Sequence, residues 1–406
     1  MYLIFPEPLN LGPSPVKSDS MPRIIYTAQF WKINRILKLR NMKKILFVPV
    51  FLAAAIILSC KKKDGTGPSS MPVDLTISVL VENLILPWEI LWGPDNQIWM
   101  TERGGKISRV NPVTGDVVPL LTISEVDSKG EGGLLGMVLH PQFNSKPYVF
   151  LVYNFTSAGS YREKVVRYTF SSGKLADPLI IQDNISGGNI HNGSRLVIVD
   201  DKIFISTGDA GISALPQDNG FINGKILRLN LDGTIPVDNP FSGSAIWSKG
   251  HRNPQGLVYA NDILYSSEHG PDSDDEINII EKGRNYGWPT VRGYCNESGE
   301  VSFCSANNVK EPIKAWTPTI ALSGMDYYNN GLIPQWKNSL LVATLKNSRL
   351  MQLKLDDTHK LVTETNEFFS GMYGRMRDLC IGPDGRVYIC TSNGSNDKIV
   401  VVTKKI

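Results

Sequence analysis

A hairpin signature recurs six times along this chain, and few architectures other than a closed ring of sheets absorb such repetition. It runs Ile90-Leu91-Trp92 and Ile98-Trp99-Met100 about a Gly93 to Asn96 turn, then Leu134 to His140 with Tyr148 to Tyr153 about a Pro141 to Lys146 turn. It returns at Leu196 to Val199 with Ile203 to Ser206, and at Leu257 to Ala260 with Ile263 to Ser266. The last two copies are Leu340 to Ala343 with Met351 to Leu355, and Asp378 to Ile381 with Val387 to Thr391. Their mean spacing is about 58 residues, against roughly 40 to 50 for a minimal propeller blade, so long loops separate the strands. Helical periodicity is scarce past residue 72. These features predict an all-β, six-bladed propeller with four-stranded antiparallel blades and long active-site loops. A pair of β-sandwiches is the competing architecture, and repeats within one unbroken body favour closure.

The 406 residues carry a formal charge of +3, unevenly spread. Residues 1–63 hold 11 Lys or Arg against 2 acids, leaving 31 basic and 37 acidic residues downstream, a net of −6. A body without a basic stripe is not expected to bind nucleic acid. The basic segment reads as an export leader: Met42-Lys43-Lys44, an apolar run from Ile45 to Leu58, then Ser59 and Cys60. That run is short for spanning a bilayer. Ile57-Leu58-Ser59-Cys60 resembles a bacterial lipobox, which implies lipidation of Cys60. The protein is then expected to be exported and held at the bacterial cell envelope, on its periplasmic or outer-membrane face, by an N-terminal lipid anchor only. A plain signal anchor is the alternative. Residues 1–41 read as an upstream start-site extension, 42–60 as the signal peptide, 61–71 as a flexible tether and 72–406 as the propeller domain. Four cysteines follow Cys60. Cys295 with Cys304, and Cys380 with Cys390, are candidate local disulfides, with buried free thiols the alternative for the second pair.

Three stretches concentrate chemistry. Gly187 to Leu196 sets a single imidazole, His191, among small residues just before a strand, where a ligand has room to approach. A neutral histidine there suits general-base work; the plainer reading is a loop histidine bonded to backbone. Gly250-His251-Arg252-Asn253-Pro254-Gln255-Gly256 offers a guanidinium fork and two amides, suited to a small, planar, multiply carboxylated anion, or else a turn capped by its own side chains. Ser267 to Asn278 is acidic and carries Gly270-Pro271, so it can present carboxylate and carbonyl oxygens to calcium, or form a solvated turn. It lacks the EF-hand pattern. Lys346, Arg375 and Arg377 matter only if they converge on the same channel, and a strand starting at Arg375 would put the two arginines on one face.

From about Leu86 to Thr403 the chain resembles the glucose/sorbosone dehydrogenase family, and within it is similar to the soluble aldose sugar dehydrogenases that use pyrroloquinoline quinone. The segments that carry the resemblance include Thr101-Glu102-Arg103, Gly132 to Gly136 with His140-Pro141, Ile190 to Gly193 and Thr207 to Gly211. Further on they are Gly224 to Asn230, Gly250 to Gly256, Glu268 to Asn278, Asn285 to Pro289 and Gly374 to Asp378. The resemblance implies a six-bladed propeller that oxidises an aldose at its anomeric carbon to the lactone, with pyrroloquinoline quinone and calcium as cofactors and an unidentified electron acceptor. It implies His191 as general base and Glu131, Arg252, Asn253, Gln255, Lys346, Arg375 and Arg377 around the quinone. For calcium it implies two alternative arrangements: the carbonyls of Gly270 and Pro271, as in the glucose-specific relatives, or Glu276 with Tyr286, as in the aldose-type relatives. Trp316 and Asp275 are implied on the substrate side.

Three positions depart from the family pattern. Glu131 stands where relatives commonly carry Gln, and a carboxylate there repels an anionic cofactor unless protonated or paired. Ile190 replaces an Asp that precedes the base in glucose-specific members, and Ala210 another of their polar residues, which directs the expectation away from strict glucose specificity. The alternative from another class is a non-catalytic envelope propeller that binds a glycan or protein. Joint retention of His191, Arg252, Asn253, Gln255, Lys346, Arg375 and Arg377 favours the enzyme. A calcium-dependent lactonase-type hydrolase would need several carboxylates around one axial metal, and the basic cradle argues against it.

Overall fold

The computed structural model describes residues 74–346 and 348–405. The start-site extension, the signal peptide with Cys60 and the tether lie outside the described residues. Strand β1 (Leu75–Leu84) is set aside at first, and the next twenty strands form five sequential meanders. The first blade is β2 to β5 (Pro87–Trp92, Ile98–Glu102, Lys106–Val110, Val117–Thr122), and the second is β6 to β9 (Leu134–Leu139, Tyr148–Ser157, Ser160–Ser171, Lys174–Ser186). The third is β10 to β13 (Gly193–Val199, Lys202–Thr207, Lys225–Asn230, Ile246–Lys249), and the fourth is β14 to β17 (Pro254–Ala260, Ile263–Glu268, Asp275–Ile279, Lys314–Trp316). The fifth is β18 to β21 (Leu322–Tyr328, Ser339–Thr344, Leu350–Leu355, Val362–Phe368). The sixth takes β22 to β24 (Met376–Ile381, Val387–Thr391, Asp397–Lys404) and closes with β1 as its outer strand, so one sheet joins both ends of the described chain.

Burial explains which strand takes which place. Every residue of β19 and of β23 is buried, as a strand flanked on both edges and both faces requires, whereas β5 and β21 keep exposed positions. Six apolar clusters fill the six seams between neighbouring blades; Trp99 and Ile107 meet Met137 and Leu151 in one, and Tyr265 and Ile277 meet Leu322 and Val342 in another. Ring closure has its own seam, where Ile90, Ile98 and Met100 of the first blade pack on Cys380, Tyr388 and Ile399 of the sixth.

The innermost pair of strands is irregular in all six blades, always near the start of the inner strand: between Pro87 and Ile90, Leu134 and Met137, Gly193 and Leu196, Pro254 and Gly256, Leu322 and Met325, and Met376 and Asp378. An extra residue there bends the strand and re-aims its side chains. Beyond it the channel is partitioned by Arg195, which is buried against Glu89 and Asp378 and lies 4.4 Å over the Trp88 ring. On the far side of this partition a cavity of about 350 Å³ is lined by Leu91, Val197, Leu257, Met325 and Asp326, among others.

Several expectations need correction. The hairpin read from Leu340 to Leu355 is the second and third strand of its blade; the inner strand is β18, whose first half is continuous with a buried loop. The disulfide Cys295–Cys304 is present, while Cys380 and Cys390 are free and buried. The register explains the difference: Cys380 faces Tyr388, and Cys390 faces Asp378. A helix, α1 (Ser298–Asn307), stands where none was expected. It is held by a capping box between Glu297 and Glu300, a left-handed Asn308 and the disulfide, with only one buried residue, so it has no apolar face to betray it.

Candidate active site

The antiparallel meander places the start of each inner strand beside the end of the strand that follows it. His191 precedes β10, Glu131 precedes β6, Arg252 and Asn253 precede β14, and Gln255 lies within β14. Arg375 precedes β22 and Arg377 lies within it, so these side chains collect at one mouth of the channel.

His191 sits at φ +56°, a left-handed conformation that a non-glycine residue holds only when its surroundings impose it. Its N–H donates to Glu131 Oε2 at 3.1 Å, and its carbonyl accepts from Ala210 N at 3.0 Å. A Cβ on Gly208 would run into that carbonyl, so the neighbouring loop must carry glycine at this point. The ring lies 2.8 Å through Nδ1 from Asp209 Oδ1, with side-chain exposures of 14% and 2%. Asp209 also accepts from Gly211 N at 2.8 Å and from the Trp288 indole at 2.9 Å. A carboxylate held by two other N–H donors accepts the third, so the hydrogen bond to Asp209 places a proton on Nδ1 and leaves Nε2 as the nitrogen without a partner in this pair.

Around this ring several buried side-chain nitrogens lack a partner. Arg252 donates through Nη1 to the carbonyls of His269 at 3.1 Å and Gly270 at 2.7 Å and stacks 5.3 Å from the Trp288 centroid, leaving Nε unpartnered. Asn253 accepts from Gly193 N at 3.1 Å and leaves Nδ2 unpartnered. Arg377 donates to Gln255 Oε1 at 2.6 Å and Ser323 Oγ at 3.3 Å, and its Nε is unpartnered. Burial, with Arg375 and Arg103 nearby, pushes Arg377 down to about 9. Burial and the charge of Arg377 push His269 down to about 3, so that ring is neutral, with Nε2 also unpartnered. Glu131 acts on Arg377, Arg252 and Arg103 as a favourable countercharge across the mouth, without a direct ion pair to any of them among the described residues.

The acidic stretch folds into a narrow pocket lined by Glu268, Gly270, Pro271, Asp274, Glu276 and Tyr286, among others, with a volume of about 10 Å³, the room of one water or ion. Glu276 accepts from Gly293 N and Asn278 Nδ2 at 2.8 Å each, and burial beside Glu268 pushes it up to about 8. The Tyr286 phenol donates to Ile279 O at 2.5 Å and accepts from Glu281 N at 2.9 Å, while its ring stacks 4.6 Å from His251. Its phenolic oxygen is therefore committed. Among the described residues no cluster of three or more His, Cys, Asp or Glu side chains is arranged to hold a metal.

The remaining expected residues take varied places. Asp275 is fully buried and accepts from Gly270 N, Ile320 N and Ala321 N at 2.6 to 2.9 Å, so its carboxyl organises two loops. Trp316 lies on β17, the outermost strand of its blade, beside Lys314. Lys346 is exposed and reaches Thr319 Oγ1 at 3.4 Å. The bulge between Met376 and Asp378 breaks the alternation that would have put Arg375 and Arg377 on one face: Arg375 is exposed, Arg377 buried. Sequence reasoning gave no role to Asp209 or Trp288, although both lie in quoted segments; a carboxylate two residues past a strand end carries no local mark of its partner.

The family model described as Glucose / Sorbosone dehydrogenase matches residues 84–401. Quinoprotein glucose dehydrogenase B of Acinetobacter calcoaceticus is 35% identical, over 78% of this chain and 85% of its own length. Aldose sugar dehydrogenase YliI of Escherichia coli strain K12 is 34% identical, over 81% of this chain and 93% of its own. The PQQ-bound aldose sugar dehydrogenase from Streptomyces coelicolor superimposes with a TM-score of 0.69 at 31% identity, over 82% of this chain and 99% of its own. The apo-form of the Escherichia coli soluble aldose sugar dehydrogenase gives 0.74 at 31% identity, over 82% and 100%.

Proposed function

Since this chain belongs to the glucose/sorbosone dehydrogenase family and is a quinoprotein sugar dehydrogenase, we propose that it oxidises an aldose at the anomeric carbon to the lactone, with His191 as general base. The observation that carries this reading is the His191–Asp209 pair opening onto a ring of unpartnered buried donors.

Arg252 Nε, Asn253 Nδ2 and Arg377 Nε each need an acceptor, and the carboxylates and quinone oxygens of pyrroloquinoline quinone supply acceptors in a planar array. Gln255 orients Arg377, Glu131 balances the cationic ring, and Arg375 and Lys346 stand at the rim of the same mouth. Bound there, the quinone supplies the two-electron acceptor for the hydride leaving the anomeric carbon, and a calcium ion beside it supplies Lewis acidity. Asp209 holds the Nδ1 proton of His191, so Nε2 takes the proton of the anomeric hydroxyl and the imidazolium that forms is stabilised by the carboxylate. The half-exposed loop around His191 leaves the ring reachable by a sugar, and Ile190, exposed beside it, offers no hydrogen bond, in keeping with several aldoses as substrates.

Calcium fits the one-ion pocket through the carbonyls of Gly270 and Pro271 and the carboxylate of Glu276, with Tyr286 serving through its backbone oxygen because its phenol is occupied. Such an ion would share Gly270 O with the Arg252 guanidinium and would bring Glu276 to its ionised form. The leader sequence supports export and lipid anchoring through Cys60. Dye reduction by the protein loaded with pyrroloquinoline quinone and calcium, over a panel of aldoses, tests the reaction: several sugars should be oxidised, and chelation of calcium should stop turnover.

A further inference from the structure

We propose that Trp288 is a positioning residue that couples the base to the cofactor clamp: its indole N–H fixes Asp209 behind His191, and its ring face carries the guanidinium of Arg252. The inference rests on the reaction proposed above. Asp209 gives Oδ1 to His191 and to Gly211 N, both at 2.8 Å, and the indole at 2.9 Å is the one donor to Oδ2 among the described residues. Asp209 is buried, so water does not replace that donor. Without it the carboxyl is free to turn about its own axis and the imidazole loses a fixed acceptor.

The opposite side of the same residue meets the clamp. The guanidinium carbon of Arg252 lies 5.3 Å from the Trp288 ring centroid, within cation–π range, and burial already lowers the basicity of that arginine. The indole cannot drift, because Trp288 N donates to Gly250 O at 3.0 Å and its carbonyl accepts from Gln217 Nε2 at 2.7 Å. Asp209 N in turn donates to Arg252 O at 2.8 Å, so the loops carrying Asp209, Arg252 and Trp288 are mutually bonded. One aromatic side chain thus sets the base through an edge and the clamp through a face.

The two functions separate by substitution. Trp288→Phe keeps a ring face and removes the donor; Trp288→Leu removes both. In the full chain without cofactor, ¹⁵N NMR of the His191 ring should show one tautomer in the parent and a mixture in both variants. With pyrroloquinoline quinone titrated by absorbance, Trp288→Phe should bind within about 3-fold of the parent, and Trp288→Leu roughly 3- to 30-fold more weakly. At saturating quinone both should turn over at least about 10-fold more slowly. If Trp288→Phe does not fold, benzothienylalanine incorporated at position 288, which keeps the bicyclic ring and has sulfur in place of the N–H, replaces it. An unchanged tautomer and turnover in Trp288→Phe, or equal quinone affinities of the Phe and Leu variants, overturns the proposal. A parent that binds no quinone overturns the proposed reaction, and the cofactor-free tautomer measurement then still decides the role of Trp288.

Discussion

His191 and Asp209 lie eighteen positions apart in the chain and 2.8 Å apart in space, on either side of the hairpin of β10 and β11. The buried carboxylate fixes which nitrogen of the imidazole carries the proton, and hence which one faces the channel mouth. Asp209→Asn preserves the shape and can present an amide N–H to Nδ1, which favours the wrong tautomer. Turnover should fall roughly 100- to 10,000-fold, while quinone affinity stays within a few-fold; stopped-flow reduction with saturating quinone checks both.

Gly208 is required by that same closeness, since a Cβ there collides with the carbonyl of His191. Gly208→Ala should displace the loop that carries the base. Loss of activity together with a melting temperature lower by several degrees is expected by calorimetry, whereas an alanine at the unobstructed Gly104 should change neither.

Glu163 is buried beneath the same loop, accepts from Ser194 Oγ at 2.7 Å, and is pushed up to about 8 by burial. Its folded-state value lies above its unfolded one, so the folded protein holds the extra proton between about pH 4.5 and 8 and stability falls as pH rises through that window. Glu163→Gln removes this contribution. The variant's melting temperature relative to the parent should therefore rise from pH 5 to pH 8; a constant difference contradicts the assignment.

The disulfide closes a short segment around α1, on the excursion between β16 and β17 and beyond the Tyr286 to Trp288 stretch that serves the site. Replacing Cys295 and Cys304 together by serine should cost about 2 to 4 kcal/mol at most, and less where α1 unfolds locally, with turnover unchanged. Urea titration and dye reduction measure the two effects.

Repetition and turn chemistry made the ring legible: strand pairs bounded by glycine and asparagine turns recur whatever their partners, and five of the six hairpins read from them are inner pairs. The fifth was misplaced because β18, interrupted by a bulge between Leu322 and Met325, mixes polar and apolar residues, whereas β19 carries the continuous apolar run Leu340 to Ala343 of a fully buried strand. His191, Arg252, Asn253 and Gln255 stand in compact motifs whose glycines mark close backbone approach, so their neighbourhood could be read locally. Asp209 and Trp288 could not, because their meeting spans 79 positions and depends on two blades being adjacent. Asp275, which the resemblance implied on the substrate side, has both oxygens engaged by backbone donors from distant loops, a partnership that only the fold shows.

The most direct test is a comparison of the parent with His191→Gln in two assays, quinone titration and aldose-dependent dye reduction at saturating quinone and calcium. The account predicts equal quinone affinity within a few-fold and turnover lower by roughly 100- to 10,000-fold in the variant. Turnover retained in His191→Gln, or a parent that binds quinone and oxidises no aldose, would contradict it.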